Sequence, residues 1–383
     1  MMGGGDKMNK IIIIGAGACG VYSALLIKQA HPNVDVLVLE AHKTPLKKLL
    51  ATGNGRCNLS NKDLAITHYD SDNLALVKDI IDDFNMPKQM QKLGLYTKYM
   101  GQLLYPYSEQ AKSVYRILMD RAQEAGVVFL YEQFVKSIRY QDGYIIETEH
   151  QRFHSDGVIV SVGSSAGKLS QVYDRRSLFT HLSFDYQDNS PSLTQMYTKE
   201  VYKTLKGVRM KGVFSLYQGK ELLKQEKGEM LFTNYGVSGI AIMQLSRYYQ
   251  EGVTLVCDLL PDLSKEELAS FLQRDLIHPL EGLVPYQLSD LLEKTHQDPV
   301  SFLKQMTFHV KGIRESEYAQ VEKGGLLLSN FNNDLESKDY PHFYAGGEIL
   351  NVNGDCGGYN LHFAFASGYR IFKGLERNQN VKN

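Results

Sequence analysis

A run of branched aliphatic residues, Ile11-Ile12-Ile13-Ile14, feeds directly into Gly15-x-Gly17-x-x-Gly20 and then into an apolar stretch over residues 21–30. No other stretch restricts the fold so tightly. The aliphatic run suits a buried strand, the glycines suit a sharp turn, and the residues after them suit a helix. In such a turn the first glycine allows the bend, the second lets backbone N–H groups approach a pyrophosphate, and the third lets helix and strand pack closely. With 33 glycines among 383 residues the spacing alone arises by chance, so context decides. A second apolar run, over residues 34–39, ends in Glu40, where a carboxylate accepts both hydroxyl hydrogens of an adenosine ribose. Glu40 would repel a 2′-phosphate, and Ala41 and His42 supply no arginine to hold one. This unit is therefore expected to take FAD or NAD rather than NADP.

The chain is longer than one average domain, and its 43% hydrophobic content is ample for more than one core. Its formal net charge of −1 argues against nucleic acid or an anionic membrane as the main partner, because both require a clustered basic excess. The apolar run at residues 11–14 is far too short to span a membrane, so a cytoplasmic protein is expected. Residues 1–10, MMGGGDKMNK, read as a short leader in which Met8 is a candidate initiator. The four cysteines, Cys19, Cys57, Cys257 and Cys356, form no CxxC pair and no metal-like spacing. Reduced thiols are the simplest reading and no metal is expected. Cys57 and Cys356 nevertheless lie in Gly-rich loops, which leaves a redox pair open.

Beyond the first βαβ unit, periodicity predicts one helix over residues 74–92 and another over 111–125, the latter stopped by Gly126. Short strands follow, with Asp142-Gly143 as a hairpin turn. The pattern turns β-rich after residue 190, becomes helical over 263–306 behind the N-cap signal Ser264-Lys-Glu-Glu267, and returns to strands at 307–313. The expected class is α/β, or multidomain α+β. A Rossmann-like domain is expected over residues 8–190 and 330–383, a β-rich domain over residues 191–262 and 307–329, and a small helical insertion over residues 263–306.

Three Gly/Asn-rich segments exceed what folding alone demands. Residues 51–61, ATGNGRCNLSN, combine backbone access with the charge of Arg56 and the directional amides of Asn58 and Asn61. Residues 228–239, GEMLFTNYGVSG, precede an apolar helix. Residues 345–360 carry Ala345-Gly-Gly-Glu348 and Asn353-Gly-Asp-Cys-Gly-Gly-Tyr-Asn360, and open the final helix, whose N-terminus can hold an anion or a polarised oxygen.

Taken together, the GxGxxG start, GNGRCNLSN, GEMLFTNYGVSG and GGEILNVNGDCGGYN resemble the YhiN/BaiN-type flavoproteins, which include bacterial aminoacetone oxidases. The resemblance spans nearly the whole chain, with GRCN and GGYN its most specific segments. It implies non-covalently bound FAD, held in a domain built from both chain ends, with the β-rich domain at 191–262 and 307–329 barrel-like and the helical domain inserted in it. It places Gly15, Ala16, Gly17, Ala18 and Gly20 around the pyrophosphate and Glu40 on the ribose. Lys48, Thr52, Gly53, Asn54, Gly55, Arg56, Cys57 and Asn58 would line the ribityl and flavin region, and Val135 would border the adenine. Gly347, Glu348, Asp355, Gly358, Tyr359 and Asn360 would close around the isoalloxazine.

The chain departs from that pattern in three places. Residues 160–167 are short where many members carry a longer Gly/Ser/Thr loop, Asn234 stands where a histidine is usual, and Asn351 where an aspartate is common. Without a second dinucleotide motif, electrons are expected to come from the organic substrate and leave to O2. The expected reaction is oxidation of a small amine or amino ketone to a carbonyl, ammonia and hydrogen peroxide. Two alternatives stay open: an NAD(P)H-dependent reductase of an activated C=C bond, and a non-catalytic flavoprotein that senses redox state. Residue types alone assign no catalytic side chain.

Overall fold

The computed structural model describes residues 8–169 and 174–380; residues 1–7 of the leader expected over 1–10 lie outside the described residues, Met8 is buried, and Lys10 already opens the first strand. The chain is multidomain α/β and divides into two compact units, residues 1–190 with 322–383, and residues 191–321.

The first unit is built on a five-stranded parallel sheet. Its strand order is Phe343–Ala345, Gly157–Val160, Lys10–Ile14, Asp35–Leu39, Val128–Leu130. Ile11 to Ile14 are buried in its centre, and such unbroken aliphatic runs belong to strands covered on both faces. Helix Ala18–Ala30 follows the glycine turn, and the final helix, Tyr359–Asn380, packs beside it. A three-stranded antiparallel sheet, Val135–Tyr140, Tyr144–Thr148 and Arg152–Ser155, carries the hairpin at Asp142-Gly143, where both residues have positive φ. Helix Ala111–Ala125 ends at Gly126 in the left-handed region, as its sequence signals.

The single helix expected over 74–92 is two, Leu74–Asp82 and Met86–Lys92. Asn85 explains the break: its side chain accepts the Lys88 N–H and restarts the helix, with a proline in the new first turn. Apolar periodicity continues across the gap because both pieces bury apolar residues in the same core, so periodicity cannot see the break.

The second unit contains a closed barrel. Met196–Thr198, Gly236–Ser238, Glu221–Phe232, Arg209–Gln218, Thr254–Asp258 and Met306–Ile313 pair in that order and return to the first. Between the fifth and sixth strands the chain forms helices Lys265–Leu272, Tyr286–Thr295 and Pro299–Gln305. The first of these starts with a reciprocal capping box between Ser264 and Glu267. Among the described residues, no helix is long and apolar enough to cross a membrane, and no cluster of three or more His, Cys, Asp or Glu side chains is placed to hold a metal.

Candidate functional site

In an open parallel sheet, ligands bind outside the carboxyl ends of the strands. Three such ends lie side by side here, at Ile14, Val160 and Ala345, and the segments that follow them interlock. Ser161 donates from its backbone to the Ile14 carbonyl at 2.8 Å, and its Oγ lies 2.9 Å from the Gly15 carbonyl. Gly346 donates to the Val160 carbonyl at 3.0 Å. Gly20 sits so close to Gly15 that a Cβ there would lie 2.1 Å from the Gly15 carbonyl oxygen. Gly17 differs: a Cβ on it would find only the Ser161 carbonyl oxygen, at 3.9 Å. Space therefore opens above the second glycine of the motif and closes around the third.

Helix Ala18–Ala30 begins at that opening. Gly17 is its N-cap, no side chain caps it, and its first turn holds no acid. Its leading N–H groups thus face outward with the positive end of the helix dipole, a ready anion site. Glu40 is buried, and its carboxylate is held from both sides by the N–H groups of Ala16 and His42, each at 2.8 Å. Two of its four lone-pair directions remain for hydroxyl donors.

Next to this turn lies a polar cluster that joins distant parts of the chain. Lys48 Nζ contacts Glu348 Oε2 at 3.0 Å and both the carbonyl and the hydroxyl of Ser164 at 2.9 Å. Gly53, Asn54, Gly55 and Cys57 all have positive φ, which costs the glycines nothing but strains Asn54 and Cys57, as in ligand-shaped loops. Asn58 Oδ1 is buried without a hydrogen-bond partner, and Gly358 packs against it. Arg56 turns elsewhere, with its guanidinium 3.6 Å from Glu109 and over the Tyr105 ring. Thr52 bonds the Leu49 carbonyl through its hydroxyl at 2.7 Å.

The last loop is braced from within. The Asn360 side chain accepts the Gly354 N–H at 2.8 Å and donates to the Gly354 carbonyl at 2.9 Å, so its amide is spent on shaping the loop. Gly347 donates to Ser367 Oγ at 2.9 Å. Asp355 bonds His68 Nδ1 at 2.8 Å, while His68 Nε2 faces Asp63 at 3.2 Å. His68 also stacks on Tyr359, with ring centroids 4.6 Å apart, and burial pushes the Tyr359 phenol up to about 12. Val135 is buried at the start of its own antiparallel strand.

Sequence reasoning missed Ser161, Ser164 and His68. Nothing local marks them, since each acts on a partner far away in the chain. The segment at 228–239 falls in the second unit. Burial raises the Cys57 thiol to about 12, opposed only by a Thr52 hydrogen bond, which makes it unreactive at neutral pH.

A βαβ turn with an open second glycine, an uncapped helix start, a buried acid held by two backbone donors and a polar loop with left-handed residues is the arrangement of a dinucleotide-binding α/β protein. Each feature is one that an adenine dinucleotide fits: an anion site at the helix start, an acid with lone pairs free for a diol, and the unpartnered buried Asn58 Oδ1 against Gly358. Residues 9–373 match the family model described as "HI0933-like protein Rossmann domain", and the chain belongs to that family of FAD-dependent oxidoreductases, with FAD as its cofactor. It is 30% identical to the 3-dehydro-bile acid delta(4,6)-reductase of Clostridium scindens, over 94% of this chain and 98% of that protein. It is 26% identical to the ribosomal RNA dihydrouridine synthases of Escherichia coli, over 95% of this chain and 97% of that protein, and of Haemophilus influenzae, over 97% and 100%.

Proposed function

We propose that the chain is an FAD-dependent reductase of a small molecule carrying a C=C bond activated by a neighbouring carbonyl. The observation that carries this reading is kinship, at nearly full length on both sides, with a protein named as a delta(4,6)-reductase. The absence of a second dinucleotide motif does not decide against it, because a donor and an acceptor that visit one crevice in turn need only one βαβ unit. The formal net charge of −1 favours a small substrate over RNA, whose backbone calls for clustered cations.

FAD, when bound, supplies hydride transfer. In the proposed arrangement Gly15, Ala16, Gly17, Ala18 and Gly20 take the pyrophosphate, and Glu40 takes the ribose hydroxyls. Thr52 to Asn58, with Lys48, line the ribityl side, and Val135 borders the adenine. Gly347, Glu348, Asp355, Gly358 and Tyr359 close the flavin end. Lys48 and Glu348 hold each other's charge beside that end. Asn360 acts one step back, by fixing the loop. Residues 8–190 and 330–383 form the FAD domain in this reading, with the barrel-like and helical domains at 191–262 with 307–329 and at 263–306.

Amine oxidation, the reaction expected from the sequence, is the competing outcome of one experiment. Under argon, NADH, NADPH and aminoacetone are added in separate cuvettes while the flavin band is followed. Bleaching by a nicotinamide, reversed by a cyclic enone, supports the reductase. Bleaching by aminoacetone alone, with peroxide formed on readmitting air, overturns it in favour of the oxidase. Bound flavin that no donor reduces supports the sensor reading and overturns both.

A further inference from the structure

The last loop lies along residues 60–71 and is held there by its backbone. Tyr69–Ser71 pairs antiparallel with Val352–Gly354, and the Asp355 N–H donates to the His68 carbonyl at 2.9 Å. The Asn61 amide donates to the Gly357 carbonyl at 3.1 Å, and the Tyr69 hydroxyl to the Tyr359 carbonyl at 3.2 Å. At position 68 this grip uses the main chain alone, so the path of the loop does not depend on the imidazole.

The imidazole has a different task. Its Nδ1 lies 2.8 Å from Asp355 Oδ2 and its Nε2 3.2 Å from Asp63 Oδ2, while its face stacks on the Tyr359 ring with 24° between the planes. One ring therefore fixes a carboxylate through its edge and a phenol through its face. The two carboxylates are unequal partners. The Asp63 side chain is 59% exposed and that of Asp355 17%, so water competes strongly for the first contact and weakly for the second. The bond to Asp355 is the one that a change of side chain would cost.

We propose that His68 is a positioning residue for the flavin: its edge holds Asp355, its face holds Tyr359, and through them it sets the reduction potential of bound FAD. The inference rests on the reading of that loop as the flavin end. Reduction puts negative charge on a flavin, and a nearby carboxylate opposes this unless an N–H donor answers part of its own charge. Loss of the donor therefore lowers the potential.

The test is a reductive titration of the FAD-loaded full-length protein under argon, equilibrated with a redox dye. His68→Phe keeps a ring for Tyr359 and removes the bond to Asp355. Its potential is expected to fall by about 30 mV or more, equivalent to about tenfold or more weaker binding of reduced relative to oxidised FAD. His68→Asn places an amide N–H where Nδ1 stands, and is expected to recover about half of that fall or more. His68→Gln, whose amide extends to the Nε2 side instead, is expected to behave as His68→Phe and carries the test if that variant does not fold. Asp355→Asn removes the charge itself and is expected to raise the potential. A wild-type potential in His68→Phe and His68→Gln beside a raised one in Asp355→Asn overturns the proposal and leaves the flavin end where it was read, whatever the melting temperatures. A wild-type potential in every variant overturns both the proposal and that reading of the loop.

Discussion

Gly17→Ala separates ligand binding from folding at the glycine turn. Gly17 has φ −81° and ψ −174°, an extended conformation open to any residue, and its added Cβ would meet nothing nearer than 3.9 Å. Alanine at an N-cap is worse than glycine by about 0.5–1 kcal/mol, while the loss of unfolded-state freedom returns about 0.4–1 kcal/mol. The two nearly cancel, so the melting temperature of the FAD-free protein should move by less than about 2 °C. The new methyl group occupies the space through which a pyrophosphate reaches the helix N–H groups. Losing one charge-assisted hydrogen bond there costs about 1.5–3 kcal/mol, or about 10- to 150-fold in FAD affinity. Gly20→Ala should behave in the opposite way. Its Cβ would lie 2.1 Å from the Gly15 carbonyl oxygen and 2.5 Å from Ser161 Oγ, so helix and strand must move apart. Such overpacking costs about 1–3 kcal/mol before any ligand is present. Scanning calorimetry of the FAD-free variants, together with FAD titration followed by quenching of flavin fluorescence, reads both quantities. A Gly17→Ala protein that binds FAD as wild type does would refute a pyrophosphate at this helix start.

Other expectations are simpler. Glu40→Gln sets an amide NH2 against one of two backbone donors, and should lower FAD affinity by about tenfold in the same titration. The Lys48 and Glu348 side chains are 36% and 23% exposed, so a double-mutant cycle on thermal stability should give a coupling of no more than about 1 kcal/mol. A larger value would mean that the pair is better shielded than its surface indicates. His362 is buried, with Nδ1 2.7 Å from Ser60 Oγ, and desolvation lowers its pKa from 6.5 to about 4. The unfolded chain therefore binds the extra proton first. Stability should be level above about pH 6.5 and fall by up to about 3 kcal/mol towards pH 4, a slope that urea titrations should find flattened in His362→Gln. Iodoacetamide at pH 8 should modify the partly exposed Cys356 in the folded protein and spare Cys57, as peptide mass spectrometry would report; rapid labelling of Cys57 would contradict its burial.

What was legible in the sequence was what neighbours in sequence decide. The strand, glycines and acid of the first βαβ unit, the Gly126 stop and the Ser264–Glu267 capping box each act within a few residues. The break at Asn85 was also local, but it was masked by apolar spacing that continues on both sides. Side-chain roles that depend on return of the chain were hidden. Asn360 reads as a cofactor amide by motif, and its bracing of Gly354 shows only once the chain is folded. His68 reads as nothing at all until folding brings Asp355 to it across 287 positions.

The contact between Lys48 and Glu348 also sets a clock. The two residues stand 300 positions apart. At ~5–20 residues per second, a ribosome needs ~15–60 s to go from one to the other. From the completion of Gly157–Val160 until then, the nascent chain exposes an edge of a parallel sheet whose outer strand, Phe343–Ala345, has yet to be made. The residues of the barrel are all synthesised in the meantime and can fold without waiting. A chain truncated just before residue 343 would thus carry the glycine turn, Glu40 and Lys48, yet leave the sheet one strand short.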